Sequence, residues 1–197
     1  MAIKSKIKTT KARLVNKDIV KIAGIQMASG PDINSNLNEA ENLITIAANQ
    51  GAKIIALPEY FSIMTSKDSE KLKAREKPDQ GIVQSFLSKQ AKKHKVWIIG
   101  GSIPLVSKDK NKIRNSCLIY DDKGNLVHRY DKIHLFGFDM GEEYYREDKL
   151  IEAGSEIVVV DSPFGRIGIA ICYDLRFPEL FRAMKDIDLL VIPSAFT

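Results

Sequence analysis

Cysteine is scarce in this chain. Two thiols in 197 residues, Cys117 and Cys172, are too few for a disulfide framework and point to a reducing compartment, with the cytoplasm the expected setting. Metal-ligand spacings of the Cys-x-x-Cys or His-Glu-x-x-His kind are absent, and Gly100–Gly101 is too short a glycine run for a nucleotide loop. Neither a metal nor an organic cofactor is implied. No segment is long and apolar enough to span a membrane, and there is no low-complexity stretch or internal repeat. The formal charge of +5 is unevenly placed, because Lys4, Lys6, Lys8, Lys11, Arg13 and Lys17 all precede the first acidic residue, Asp18. The remainder is close to neutral, so the basic charge says little about a nucleic-acid partner, and none is expected. Residues 1–18 are therefore expected to be a solvated, disordered basic tail. They are rich in lysine where a transit peptide would use arginine, and they lack the apolar run of a secretory leader.

From residue 19 onward the pattern alternates strand and helix. Strands are predicted over Val20–Met27, Lys53–Leu57, Val96–Ile103, Ser116–Tyr120, Leu126–Tyr130, Ile157–Asp161, Ile167–Cys172 and Asp188–Pro193. A helix over Leu37–Gln50 would bury Leu37, Ala40, Ile44, Ala47 and Ala48, take its cap from Asn34 or Ser35, and stop at Gly51. A second helix, Gln80–His94, opens after Pro78, and a third, Arg176–Met184, carries Pro178 in its first turn. Asp121–Asn125 and Ser162–Gly165 read as turns between strands. The order is βαβαβ, then hairpins, then a βαβ return, which is an α/β class with helices covering a mixed sheet.

Strand ends are where ligands bind in such sheets, and three of them carry chemistry. Leu57–Pro58–Glu59 supplies a carboxylate, Tyr130–Asp131–Lys132–Ile133–His134–Leu135 an ammonium, and Ile171–Cys172–Tyr173–Asp174 a thiol. Cys172 ends an apolar run and is followed at once by polar and turn-forming residues. It is expected on a strand-to-helix elbow, exposed at the sheet edge, with backbone N–H groups beside it that could bind a developing oxyanion. Cys117, inside Ser116–Cys117–Leu118–Ile119–Tyr120, reads as core. Taken singly, each group has an ordinary structural reading: Glu59 a loop acid, Lys132 a surface cation, His134 a satisfied core histidine. Their joint appearance at sheet edges is the signal.

These residues also carry a resemblance. Leu57–Pro58–Glu59, Asp131–Lys132–Ile133–His134–Leu135 and Cys172–Tyr173–Asp174–Leu175–Arg176–Phe177–Pro178–Glu179 resemble the three ordered motifs of the nitrilase superfamily of carbon–nitrogen hydrolases. Within it, Pro58–Glu59–Tyr60–Phe61, Ile98–Ile99–Gly100–Gly101–Ser102–Ile103–Pro104 and His134–Leu135–Phe136–Gly137–Phe138 look most like the Nit1-like deaminated glutathione amidases. The resemblance implies a four-layer α–β–β–α sandwich and a thiol amidase of linear amides, with residues 19–197 as the hydrolase domain. Cys172 would be the nucleophile that forms a thioester, and Glu59 the general base and acid. Lys132, with the Tyr173 N–H, would stabilise the oxyanion; its charge would also lower the thiol pKa. The family's second glutamate maps to Glu147, with Glu142 and Glu143 near enough for a loop shift to substitute them.

Tyr60, Tyr145, Tyr173 and Arg176 lie near the inferred site, and a cation there suits a carboxylate-bearing amide. Deaminated glutathione is the first substrate expected, and 2-oxoglutaramate the second. Asp174, Arg176 and Glu179 read as support, the last two as an i,i+3 ion pair fixing the elbow. The family's members continue past the position matching Ser194–Thr197, so the sandwich is expected to be incomplete at the C-terminus, with an exposed sheet edge and an inactive, partner-binding product as the contrary reading. A homodimer or higher oligomer is the expected assembly of the longer form.

Overall fold

The computed structural model describes residues 19–141 and 143–196, so the basic tail at 1–18, Glu142 and Thr197 lie outside the described residues. Three short parallel strands start the first sheet, β1 (Ile22–Gly24), β2 (Ile54–Ala56) and β3 (Trp97–Ile99), in the registers Ile22 to Ile54 and Ile54 to Trp97. The long β5 (Ile113–Tyr120) continues it antiparallel to β3, to β4 (Ile103–Val106) and to β6 (Leu126–Asp131). A second sheet is built from β9 (Val158–Ser162), β10 (Gly165–Ile169) and β11 (Leu189–Val191), with β10 central, antiparallel to β9 and parallel to β11. Between the two sheets in sequence lies a hairpin of β7 (Gly137–Met140) and β8 (Glu143–Arg146), joined at Gly141.

Period-two alternation decides which side chain faces which layer. In the first sheet Ile55, Ile98 and Leu118 point toward α1 (Ile33–Asn49) and α3 (Ile82–His94), where Ala40, Ile44, Val83 and Leu87 complete the core. Their sequence neighbours Ile54, Trp97, Ile99, Cys117 and Ile119 point the other way, onto Val158, Val160, Ile167 and Ile169 of the second sheet. Each such fully buried aliphatic side chain is worth roughly 1.5–3 kcal/mol of transfer free energy. On the far side of the second sheet Ala170 meets Leu180 and Met184 of α4 (Pro178–Met184). The layers are helix, sheet, sheet, helix, as the motif resemblance implies.

Several boundaries moved from their sequence positions, each for a local reason. Helix α1 begins a turn earlier than expected because Asp32, not Asn34 or Ser35, is the cap: its carboxylate accepts the Ser35 N–H at 2.8 Å. Helix α3 starts at Ile82 because Glu76, reaching from outside the helix, accepts the free Val83 and Gln84 N–H groups at 2.8 and 3.2 Å. The predicted single strand Val96–Ile103 is two strands, since the chain turns at Gly100–Gly101 before β4 begins. Helix α2 (Asp68–Ala74) and the β7–β8 hairpin have no counterpart in the sequence reading; both are too short for a periodic signal.

The turn at Gly101 also sets the site. Its φ is +57°, and a Cβ there would stand 2.0 Å from the Pro58 carbonyl oxygen, one residue before Glu59. Gly101→Ala combines left-handed backbone strain, on the order of 1–3 kcal/mol, with a collision that backbone alone can relieve. The expected result is a lower unfolding midpoint in thermal melts together with a displaced Glu59. An unchanged melt would show the turn to be adaptable.

Candidate active site

Glu59 leaves the end of β2 and turns inward, 3 % exposed. Its Oε1 accepts the Asn115 Nδ2–H at 2.9 Å and the Lys132 ammonium at 3.1 Å, and its Oε2 accepts the Ala195 N–H at 2.9 Å. Lys132 follows β6 and is 1 % exposed. Its backbone is tied on both sides, N–H to the Asn115 carbonyl at 2.9 Å and carbonyl to the Gly154 N–H at 2.8 Å, so the side chain is delivered into the interior. There Nζ also meets Glu147 at 3.0 Å. Glu147, the first residue of a 3-10 turn over Glu147–Lys149, is held by reciprocal bonds with Phe136: Phe136 N–H to its Oε2 at 2.7 Å and its own N–H to the Phe136 carbonyl at 2.9 Å. Glu147, the first choice among the glutamates weighed for this place, therefore meets Lys132 directly. Glu142 lies outside the described residues, and Glu143 opens β8.

One ammonium thus stands between two buried carboxylates. Burial by itself would lower the Lys132 pKa, but the charges of Glu59 and Glu147 and the hydrogen bond to Glu147 outweigh it, and the pKa is raised. Lys132 is a cation at any neutral pH.

Cys172 opens a 3-10 turn, Cys172–Arg176, three residues past the end of β10, at φ +46°. A non-glycine residue in the left-handed region is unusual and marks a constrained elbow. Its N–H is committed to the Pro193 carbonyl at 2.9 Å and that of Asp174 to Ile171 at 3.1 Å. Among the described residues the intervening Tyr173 N–H has no such backbone partner, so it is the amide of this turn left to meet a ligand. The thiol itself differs from the sequence expectation. Burial and then the Glu59 carboxylate push its pKa up to about 11, and the opposing pull of Lys132 does not cancel them. Iodoacetamide alkylation of Cys172, followed by mass spectrometry, is expected to stay slow at pH 7–8 and to accelerate toward pH 11. A midpoint at or below pH 8 would mean that Lys132 dominates after all.

The remaining expected site residues are placed unequally. Tyr173 is half-buried, its ring edge-on to Phe136 and Phe177 at 5.2 and 5.5 Å. Tyr145 on β8 is 41 % exposed and stacks beside Phe138 at 6.4 Å, near Phe136 at 6.0 Å. Tyr60 is instead core: it lies among Ile113, Leu150 and Ile151 with the Lys71 ammonium 4.9 Å over its ring, and its buried hydroxyl has no partner among the described residues. Arg176 is exposed, and the expected pair with Glu179 is not formed. The 3-10 turn ends at Arg176 and α4 starts only at Pro178, so the two are not on one helix. Glu179 pairs with Arg182, three residues on in α4, at 2.6 Å.

Sequence reasoning missed Asn115 and the Ala195 N–H. Asn115 is fully buried and its carbonyl holds the Lys132 N–H, but it sits between Arg114 and Ser116 in the polar half of β5, where sequence alone gives no sign of burial. A backbone amide 136 positions from Glu59 gives no signal either.

The family model for carbon–nitrogen hydrolases matches residues 21–195. The chain belongs to the carbon–nitrogen hydrolase family. Among its relatives, nitrilase homolog 2 of Dictyostelium discoideum is 37 % identical over 181 residues, covering 90 % of this chain and 55 % of that protein. The deaminated glutathione amidase of Yersinia enterocolitica is 35 % identical over 181 residues, with 89 % and 63 % covered. The human omega-amidase NIT2 is 36 % identical over 179 residues, with the same coverage. Among solved structures, Saccharomyces cerevisiae Nit3, a member of branch 10 of the nitrilase superfamily, matches with a TM-score of 0.78 at 31 % identity, over 90 % of this chain and 65 % of that one. This carbon–nitrogen hydrolase chain therefore spans less than two thirds of the length of these relatives. No helix among its described residues is long and apolar enough to cross a membrane.

Proposed function

We propose that this chain carries the reaction centre of a thiol amidase that cleaves a small carboxylate-bearing amide through a cysteinyl thioester. The observation that carries this reading is a buried Glu59–Lys132–Glu147 cluster within electrostatic reach of a thiol on a constrained elbow. Because burial keeps the thiol protonated near neutrality, the nucleophile has to lose its proton as it attacks, and Glu59 is the base beside it. Sγ bonds to the amide carbon while Glu59 takes the thiol proton. The carbonyl oxygen, now an anion, is met by the Lys132 ammonium and the Tyr173 N–H. Collapse of the tetrahedral species breaks the C–N bond, Glu59 returns its proton to the leaving amine, and a thioester remains. Glu59 then deprotonates a water that attacks the thioester; the acid leaves and the thiol recovers its proton. Glu147 keeps Lys132 in place throughout.

Deaminated glutathione is the first substrate, giving 2-oxoglutarate and Cys-Gly. The similarity to an omega-amidase at nearly the same identity supports 2-oxoglutaramate, with release of ammonia, as the second. Exposed Arg176, four residues beyond the nucleophile, is the cation proposed to meet the substrate carboxylate, with Tyr145 and Tyr173 flanking it and Tyr60 supporting from the core. The test is product identity. Purified protein is given each amide in turn, and Cys-Gly and ammonia are measured. Release of Cys-Gly supports the first reading and ammonia the second; neither product from either amide would refute the amidase assignment.

A further inference from the structure

The proposed chemistry uses Glu59, Lys132, Glu147 and Cys172, yet the most completely enclosed charged side chain nearby takes no part in it. Asp174 is fully buried. Its Oδ2 accepts the Tyr130 hydroxyl at 2.6 Å and the Ile171 N–H at 2.9 Å, and its Oδ1 accepts the His134 N–H at 2.9 Å and contacts His134 Nδ1 at 2.7 Å. These partners are not scattered. Tyr130 and His134 stand two residues to either side of Lys132, and Ile171 immediately precedes Cys172. The His134 ring in turn lies flat against Phe177 at 3.6 Å, just beyond the turn that Cys172 opens.

We propose that Asp174 is a positioning residue that locks the ammonium-bearing segment 130–134 to the nucleophile elbow 171–174, fixing Lys132 and Cys172 relative to each other. This rests on the amidase reading above. The Cys172 backbone sits at φ +46°, a conformation that persists only when its surroundings over-determine it, and Asp174 supplies part of that determination through Ile171. The Tyr130 hydroxyl and the Ile171 and His134 N–H groups all donate to this carboxyl, and His134 Nδ1 adds a fourth contact whose direction its tautomer sets.

Substitution by asparagine is informative because it preserves shape. An amide has one oxygen and one NH2, so in either orientation the NH2 faces a backbone N–H, that of Ile171 or that of His134. A hydroxyl or an imidazole tautomer can adapt, whereas a peptide N–H cannot. One side of the lock therefore opens in Asp174→Asn whichever way the amide turns.

The experiment compares wild type, Asp174→Asn and Tyr130→Phe for kcat and KM on the amide that wild type turns over, and for the pH profile of Cys172 alkylation by iodoacetamide. Circular dichroism reports the fold. In folded Asp174→Asn, kcat is expected to fall on the order of 10²-fold with KM nearly unchanged, the signature of misplaced reacting groups. The alkylation profile is expected to shift as the thiol moves relative to Glu59 and Lys132. Tyr130→Phe removes a single donor and should move both readouts the same way by less; it carries the test if Asp174→Asn does not fold. Wild-type kcat and alkylation in either folded variant, or a loss confined to KM, would overturn the positioning role. Absence of turnover in wild type itself would instead count against the amidase reading, and the alkylation profiles would then decide the role of Asp174 alone.

Discussion

Cys172→Ala is expected to lower amide turnover on the order of 10⁶-fold, the scale on which a covalent hydrolase loses rate with its nucleophile. The comparison is clean because alanine and cysteine are equally ill-suited to φ +46°, so the elbow keeps its conformation and its strain. Melting temperatures of the two proteins should therefore be close, and any residual rate reflects substrate positioning and oxyanion binding. Cys117 provides the control. It is fully buried between the two sheets, and burial drives its pKa far upward, so it has no route to thiolate chemistry. Cys117→Ala should retain activity and lose only the packing of one sulfur. Equal rates for Cys172→Ala and wild type would remove the thiol from the mechanism.

Lys132→Met is expected to affect stability as strongly as activity. The ammonium is the shared partner of two carboxylates that are each nine-tenths buried or more. Removing one member of a buried ionic cluster costs about 3–5 kcal/mol, because the charges left behind are neither solvated nor paired. Urea unfolding measures this directly as a lower midpoint at unchanged slope. The oxyanion also loses a donor, at roughly 3–4 kcal/mol of transition-state stabilisation. The double variant Lys132→Met/Glu147→Gln separates the two effects: it should recover part of the stability, since one orphaned charge is gone, and none of the activity. A Lys132→Met protein with the wild-type urea midpoint would mean that the three groups are not coupled as the geometry requires.

Much of this was legible in the chain. The parallel βαβ openings and the face of α1 followed from apolar periodicity, because those features are local or repeat at a fixed spacing; the division into two sheets did not, and came only as what the motif resemblance implies. Glu59, Lys132 and Cys172 could be named from the motifs and Glu147 only by the family mapping, and the fold sets Lys132 against both carboxylates. The state of the thiol could not. Its pKa depends on how much water the second sheet excludes and on which of two opposite charges lies nearer, and neither is a property of sequence neighbours. The Arg176–Glu179 pair failed for a different reason: spacing of three implies contact only if both residues share a helix, and Phe177, held out of helical conformation by Pro178, ends the turn before α4 begins. Asp174 was readable as support, but its partners at Tyr130 and His134 were not.

The bond from the Ala195 N–H to Glu59 Oε2 has a kinetic consequence. It joins a residue just beyond the end of the first sheet's second strand to one just beyond the last strand of the second sheet, across 136 positions. Contacts of such separation form late, after the loop-closure entropy of the intervening chain has been overcome. During refolding, recovery of helical and sheet signal should therefore precede recovery of catalysis. The proposed base is not fully held until both sheets have docked, so a half-assembled chain carries the thiol without the carboxylate fixed in place.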